Sequence, residues 1–235
     1  LVCRAALRGQ GGALAERRTA GGVAWREADQ QQPWPRPVEV RTLANGWSYV
    51  RLRAWLTSLE GPLDEAIDAA ADAPGLVLDL RGNGGGNYLM ATRARSRFLD
   101  RDRRIGWIRH RDPGGGLSEP APIDGRVAEP ERRYTGPVQV WVDGETYSAS
   151  EDFLMGLAGQ DNVEVLGTTP TGGGSGRLRH GRGGDEGEGG HEGAEAGDGE
   201  AGWQLTITTC HTFLEDGTII EGAGHPVTGP IPDGW

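Results

Sequence analysis

The 235-residue sequence predicts an α/β domain, and three observations carry that prediction. Two short runs, residues 76–80 (LVLDL) and 138–142 (VQVWV), are almost wholly apolar, as strands buried on both faces are. Each is followed by a turn and then by residues that suit a helix. Strand and helix signals go on alternating to the end of the ordered part, the pattern of a parallel sheet covered by helices.

The elements follow in order. Residues 1 to about 40 mix arginines, Gly11-Gly12, a glutamine run and Pro33, Pro35 and Pro37 with weak periodicity. They read as a linker or the remnant of a preceding module, with the domain proper at 41–235. Order begins after the turn signal Asn45-Gly46. Residues 47–55 (WSYVRLRAW) have the aromatic and β-branched content of a strand, with Val50 and Leu52 alternating. Pro62 suits the first turn of a helix on which Leu63, Ile67 and Ala70 share a face, and Ala73-Pro74-Gly75 stops it. After the run at 76–80 comes a glycine loop, 81–87 (RGNGGGN), then a helix to about Leu99 with Leu89, Met90 and Phe98 as its apolar residues. Residues 105–110 predict a strand, and 112–136, rich in Gly and Pro, an excursion. Behind the run at 138–142, a helix from about Ser150 to Leu157 and a strand at 163–166 are expected. Residues 172–202 hold 14 glycines in 31 positions and read as a mobile insertion, because glycine at that density cannot repay the entropy of ordering. Residues 205–209 and 218–221, around Asp216-Gly217, predict a closing hairpin.

Composition excludes several classes of function. All 24 basic residues are arginine, so Schiff-base chemistry, a phosphate-binding loop ending in Gly-Lys and a serine–lysine dyad are ruled out. A net charge of -10 argues against a nucleic-acid partner. Residues 183–201 carry seven of the acids and no base, so the remainder stands near -3. No apolar run reaches the roughly 18 residues of a membrane span. Cys3 and Cys210 are too few for a disulfide framework and lack metal-site spacing; no metal or cofactor is expected.

The segment 138–157 (VQVWVDGETYSASEDFLMGL) is the most informative. A buried strand emerges, turns at Asp143-Gly144 and enters a helix with Ser148 at its start. Ser148-Ala149-Ser150-Glu151 is a capping box, which alone would explain the serine. The same geometry puts a nucleophile beside unpaired amides that can stabilise an oxyanion. The glycine loop at 81–87 follows a strand and precedes a helix, as a dinucleotide-binding turn does, but it ends on Asn87, out of register with G-x-G-x-x-G. Its surplus glycine suggests a close backbone approach.

Taken in order, LVLDLRGNGGG, VWVDGETYSASEDF, VLGTTPTGGGSG and DGTIIEGAGHPVTGPIP resemble the C-terminal-processing (tail-specific) serine peptidases, in a clan with the tricorn core and the retinoid-binding repeats. The likeness covers about Trp47 to Pro232. It implies the spiral ββα fold of ClpP and the crotonases, with Ser148 as nucleophile and the amides of Ala149 and Gly85 as oxyanion donors. The best-known members use a lysine base in Thr-x-Gly-Lys-Gly; Gly173 stands where that lysine would be, and a lysine restored there is the converse test. Tricorn-like members pair serine with histidine and a glutamate in Glu-x-x-Gly, which Glu221 matches. Their histidine comes early in the chain, and none precedes His110 here. Of His110, His180, His191, His211 and His225, the last is taken first as base, provided that it reaches Ser148.

The resemblance thus implies a serine endopeptidase acting on extended polypeptide segments bound by strand addition. It also implies, by family analogy, a place outside the cytoplasm. A non-catalytic binding module on the same fold competes with it, because the lysine is lost. An acyl-CoA enzyme of the crotonase type would leave Ser-Ala-Ser-Glu unexplained.

Overall fold

A computed structural model describes residues 5–6, 38–112, 114–157, 159–174, 177–181 and 204–233. The chain divides into two compact units, one of residues 1–34 with 177–209 and one of residues 35–176 with 210–235.

In the first unit, β1 (Ala5–Ala6), β9 (Arg177–Gly181) and β10 (Gln204–Thr208) form an antiparallel sheet in the order β1-β10-β9. Two expectations are corrected here. Residues 177–181 are strand rather than insertion, their signal diluted by the surrounding glycines. Residues 205–208 pair with that strand, Leu205 facing His180, and not with 218–221. Most of the expected insertion, 182–203, lies outside the described residues.

The second unit is built on a five-stranded sheet, order β2-β3-β4-β7-β8. Its strands are β2 (Val38–Thr42), β3 (Ser48–Leu52), β4 (Leu76–Asp79), β7 (Val138–Val142) and β8 (Val163–Gly167). All pairs are parallel except β2 with β3, which make a hairpin through the turn at Asn45-Gly46. The register lines up Val50, Leu78, Val140 and Val165 in one row across four strands, every one fully buried. Burying each such side chain contributes about 1.5–3 kcal/mol. Parallel neighbours need crossovers, and these are α1 (Glu60–Ala69), α2 (Tyr88–Ser96) and α3 (Ala149–Leu154). Leu63, Ile67, Met90, Ala91, Phe153 and Leu154 from the three helices join the Val50–Val165 row in one core. Trp55 and Phe98 flank the Phe153 ring at 5.1 and 5.7 Å. On the opposite face Tyr49, Val77, Trp141 and Leu166 form a smaller cluster.

Strand β2 precedes the turn where order was expected to begin. Its pattern is weak because it is an edge, with Val40 53% exposed. Leu89, expected among the apolar positions of its helix, is 72% exposed; the buried face of α2 runs through Met90, Ala91, Ala94 and Arg95. The excursion after β5 (Arg103–His110) returns as β6 (Ala121–Gly125), and β11 (Cys210–Leu214) pairs on the other side of β5. The turn at Asp216-Gly217 therefore folds 218–220 back along β11, with the Ile220 amide donating to Thr212 O at 3.0 Å. No helix among the described residues is long and apolar enough to cross a membrane.

Candidate active site

The end of β4 fixes the glycine loop. Asp79 is fully buried and accepts hydrogen bonds from Tyr49 Oη at 2.6 Å and from the Arg81 guanidinium at 2.7 Å. Burial pushes its carboxyl up, but the bonds from Arg81 and Tyr49 outweigh that and hold it below its ordinary value. Beyond Arg81, Asn83 is also fully buried: its Nδ2 donates to Leu52 O, and its own carbonyl accepts from the Tyr147 amide and the Ser150 hydroxyl. The turn after β7 is tied to the same loop, since Asp143 Oδ1 accepts from the amides of Gly82, Glu145 and Thr146 at 3.0–3.1 Å.

These anchors hold Ser148 in an unusual conformation. Its φ of 57° and ψ of -117° make it the one residue other than glycine with positive φ among the described residues. Such a backbone costs about 1–3 kcal/mol and persists only where the surroundings enforce it. Strand, strained serine and helix in succession have the geometry of a nucleophile elbow. Gly85 explains the surplus of glycine. It sits at φ 104°, and a Cβ there would come within 2.8 Å of Ser148 Cβ and of Tyr147 O. Its amide donates to Asn83 Oδ1 at 3.0 Å, and its carbonyl accepts from the Trp55 amide. The Ala149 amide has no acceptor among the described residues. The second serine of Ser-Ala-Ser is locked: Ser150 is fully buried, accepts from Trp55 Nε1 at 2.9 Å and donates to Asn83 O at 3.0 Å.

Glu151 does more than the capping box asked of it. Its Oε2 accepts from the Ser148 and Gly174 amides, both at 2.9 Å, and its Oε1 from the Thr171 hydroxyl and the Gly173 amide. Burial pushes this carboxyl up, while the four donors oppose the shift without cancelling it. One side chain thus binds the Ser148 amide to the loop 171–174. The sequence signalled Glu151 only as a cap partner, and gave no sign of Asn83, whose part depends on neighbours up to 67 positions away.

His225 is fully buried. Its amide donates to Thr171 Oγ1 at 2.6 Å, Nδ1 lies 3.0 Å from Pro226 O, and Nε2 has no partner among the described residues. Burial pushes the imidazole down. No hydrogen bond joins it to Ser148 among the described residues. Glu221 is half-buried at the turn whose next residue, Gly222, donates to Gly173 O. His110 and His211 lie on β5 and β11, the first exposed; His180 falls on β9 of the other unit, and His191 lies outside the described residues. Gly173 has φ 69°, and a Cβ on it would fall 2.6 Å from the Gly224 amide nitrogen and 2.9 Å from Ile220 O. A lysine restored there cannot fit without moving that backbone, which corrects the converse test.

Ser148, Glu151, Asp152, Met155, Gly174, Thr212 and Ile220 line a depression of about 10 Å³. Burial pushes the Asp152 carboxyl up to about 6, against the pull of Arg95 and with a further push from Glu151. No group of three or more His, Cys, Asp or Glu among the described residues converges as a metal site.

Residues 46–228 match the sequence pattern of Peptidase family S41. The carboxy-terminal processing protease CtpA of Bacillus subtilis (strain 168) is 29% identical over 133 residues, which are 56% of this chain and 27% of that protein. A protein of Parabacteroides merdae ATCC 43184 shares the fold at a TM-score of 0.66 and 22% identity, over 91% of this chain and 63% of that one. The photosystem II D1 C-terminal processing protease does so at 0.57 and 20%, over 86% and 50%. The chain spans about a quarter of the length of the curated relative and half to two-thirds of these structures.

Proposed function

The chain belongs to peptidase family S41, and from that premise we propose that it is a serine-type endopeptidase whose nucleophile is Ser148. Its substrates are extended polypeptide segments, and the name of the curated relative makes carboxy-terminal segments the first to test. The observation that carries the reading is the φ 57°, ψ -117° backbone of Ser148, a strain that a mere helix cap does not need. Ser148 Oγ attacks the peptide carbonyl, and the oxyanion forms beside the Ala149 amide. Gly85 supplies the second donor by exchanging Asn83 Oδ1 for the oxyanion. His225, whose amide is held by the Thr171 hydroxyl, and Glu221, next to the Gly222 amide that donates to Gly173 O, are the proton acceptors to test.

A fluorophosphonate probe tests the reading: it should label the chain and leave a Ser148→Ala variant unlabelled. Labelling that persists in the variant, or none in a folded parent, removes Ser148 from the role. A second reading, a peptide-binding module on the same fold, is favoured by the packed backbone over Gly173 where a lysine base would stand. It predicts no labelling, with retained binding of extended peptides.

A further inference from the structure

We infer that Thr171 is a positioning residue for the reaction: its hydroxyl fixes the turn that carries Glu221 and His225 against the elbow that carries Ser148. The inference rests on the reading of Ser148 as nucleophile. One chain of hydrogen bonds carries it, and the donors and acceptors allow that chain a single direction. The His225 amide can only donate, and it donates to Thr171 Oγ1 at 2.6 Å. A hydroxyl has one proton, and that of Thr171 goes to Glu151 Oε1 at 2.5 Å, in the range of a bond to a charged oxygen. The other oxygen of the same carboxylate accepts from the Ser148 amide at 2.9 Å. Three bonds thus lead from the backbone of a candidate proton acceptor to the backbone of the nucleophile. The two side chains between them, Thr171 and Glu151, are 5% and 3% exposed.

The turn has a shape of its own and few holds on this side. The Ala223 and Gly224 amides both donate to Ile220 O, at 3.0 and 2.7 Å, so 220–224 closes on itself. Its first residue is tied to β11, the Ile220 amide donating to Thr212 O. Among the described residues, three bonds join 222–225 to 171–173. They run from the Gly222 amide to Gly173 O, from the Thr171 amide to His225 O at 3.3 Å, and from the His225 amide to the Thr171 hydroxyl. Of these, the bond to the hydroxyl is the one made by a side chain, and it is the one passed on to α3. The two backbones touch beside it: a Cβ on Gly224 would fall 2.0 Å from Thr171 O.

The reaction needs this registration because its demand is geometric. A proton acceptor works within about 2.6–3.2 Å of the hydroxyl it serves, or through one water. A methyl in place of the Thr171 hydroxyl leaves a buried amide without its acceptor and a carboxylate oxygen without one of its donors, and the turn regains a partner only by moving. Thr171 therefore acts through the two segments it joins, not on the reacting atoms.

The test measures fluorophosphonate labelling of the whole chain, per folded molecule. Labelling forms the Oγ–P bond, expels fluoride and sends the Ser148 proton to the acceptor, so its rate reads how the two are placed. Thr171→Ser keeps the hydroxyl and should label within about threefold of the parent, whereas Thr171→Val keeps the shape alone and should label at least about tenfold more slowly, since a misplacement near 1 Å can cost about a hundredfold. Leu78→Ala, in the core and outside this chain of bonds, shows what lost stability does by itself and should label at the parental rate. A folded Thr171→Val at the parental rate overturns the inference and leaves Ser148 standing. So does a Thr171→Ser as slow as Thr171→Val, which would assign the effect to packing, or an equal slowing in Leu78→Ala. Thr171→Ala repeats the measurement should the valine variant not fold. Failure of both to fold where Leu78→Ala folds makes the hydroxyl a requirement of the fold and also overturns the inference. A folded parent that does not label overturns both this inference and the nucleophile on which it rests.

Discussion

At Ser148 the backbone strain of about 1–3 kcal/mol has to be met by bonds from elsewhere. The Tyr147 amide is held by Asn83 O, the Ser148 amide by Glu151 Oε2, and Gly85 closes on the side chain. Glu151 is the most connected of these groups, and replacing it is the sharpest single-residue test. Glu151→Gln keeps the size of the side chain but swaps one acceptor oxygen for a donor NH₂, which would face an amide N–H. We expect a loss of about 1–3 kcal/mol in urea-induced unfolding, and fluorophosphonate labelling at least tenfold slower. The second effect follows because the variant loosens the elbow as well as the fold. Parental labelling in a destabilised Glu151→Gln would show that the elbow holds its shape without this carboxylate.

The elements repeat the distinction between what lies in the core and what lies at an edge. Leu78 sits in the row that crosses β3, β4, β7 and β8, fully buried, and Leu78→Ala should cost about 2–5 kcal/mol in chemical denaturation. Leu89→Ala, on the exposed flank of α2, should stay within about 0.5 kcal/mol. An equal cost for both would mean that α2 docks by a face other than the one described. The same contrast decides what could be read beforehand. Strands β4 and β7 were legible because burial on both faces leaves almost wholly apolar runs, and α1 because Leu63 and Ile67 repeat at helical spacing. Strands β2, β6 and β9 were not: β2 is an edge with Val40 half in water, β6 carries Pro122 in a Gly/Pro-rich stretch, and β9 adjoins a glycine tract. In the site, Ser148 and its glycine loop stood out through local motifs. Asn83 did not, because what matters about it is supplied by residues far along the chain, Leu52 and Ser150.

For the whole molecule the site is a meeting of distant segments around one tryptophan. The Trp55 amide donates to Gly85 O and its carbonyl accepts from the Asn87 amide, a one-residue parallel bridge between β3's extension and the glycine loop. Its indole reaches Ser150, 95 positions further on. Closing so long a loop costs entropy before its contacts give anything back. Refolding from urea should therefore show two clocks. Far-ultraviolet circular dichroism, reporting the sheet and helices, should recover first, and competence for fluorophosphonate labelling should follow in a slower phase. Simultaneous recovery would place the Trp55–Gly85–Ser150 junction inside the folding nucleus. On the slower schedule, a newly made chain holds its structure for an interval before Ser148 and the glycine loop reach their final arrangement. The long-range clasp on Trp55 would then set the lag between folding of the sheet and completion of the site.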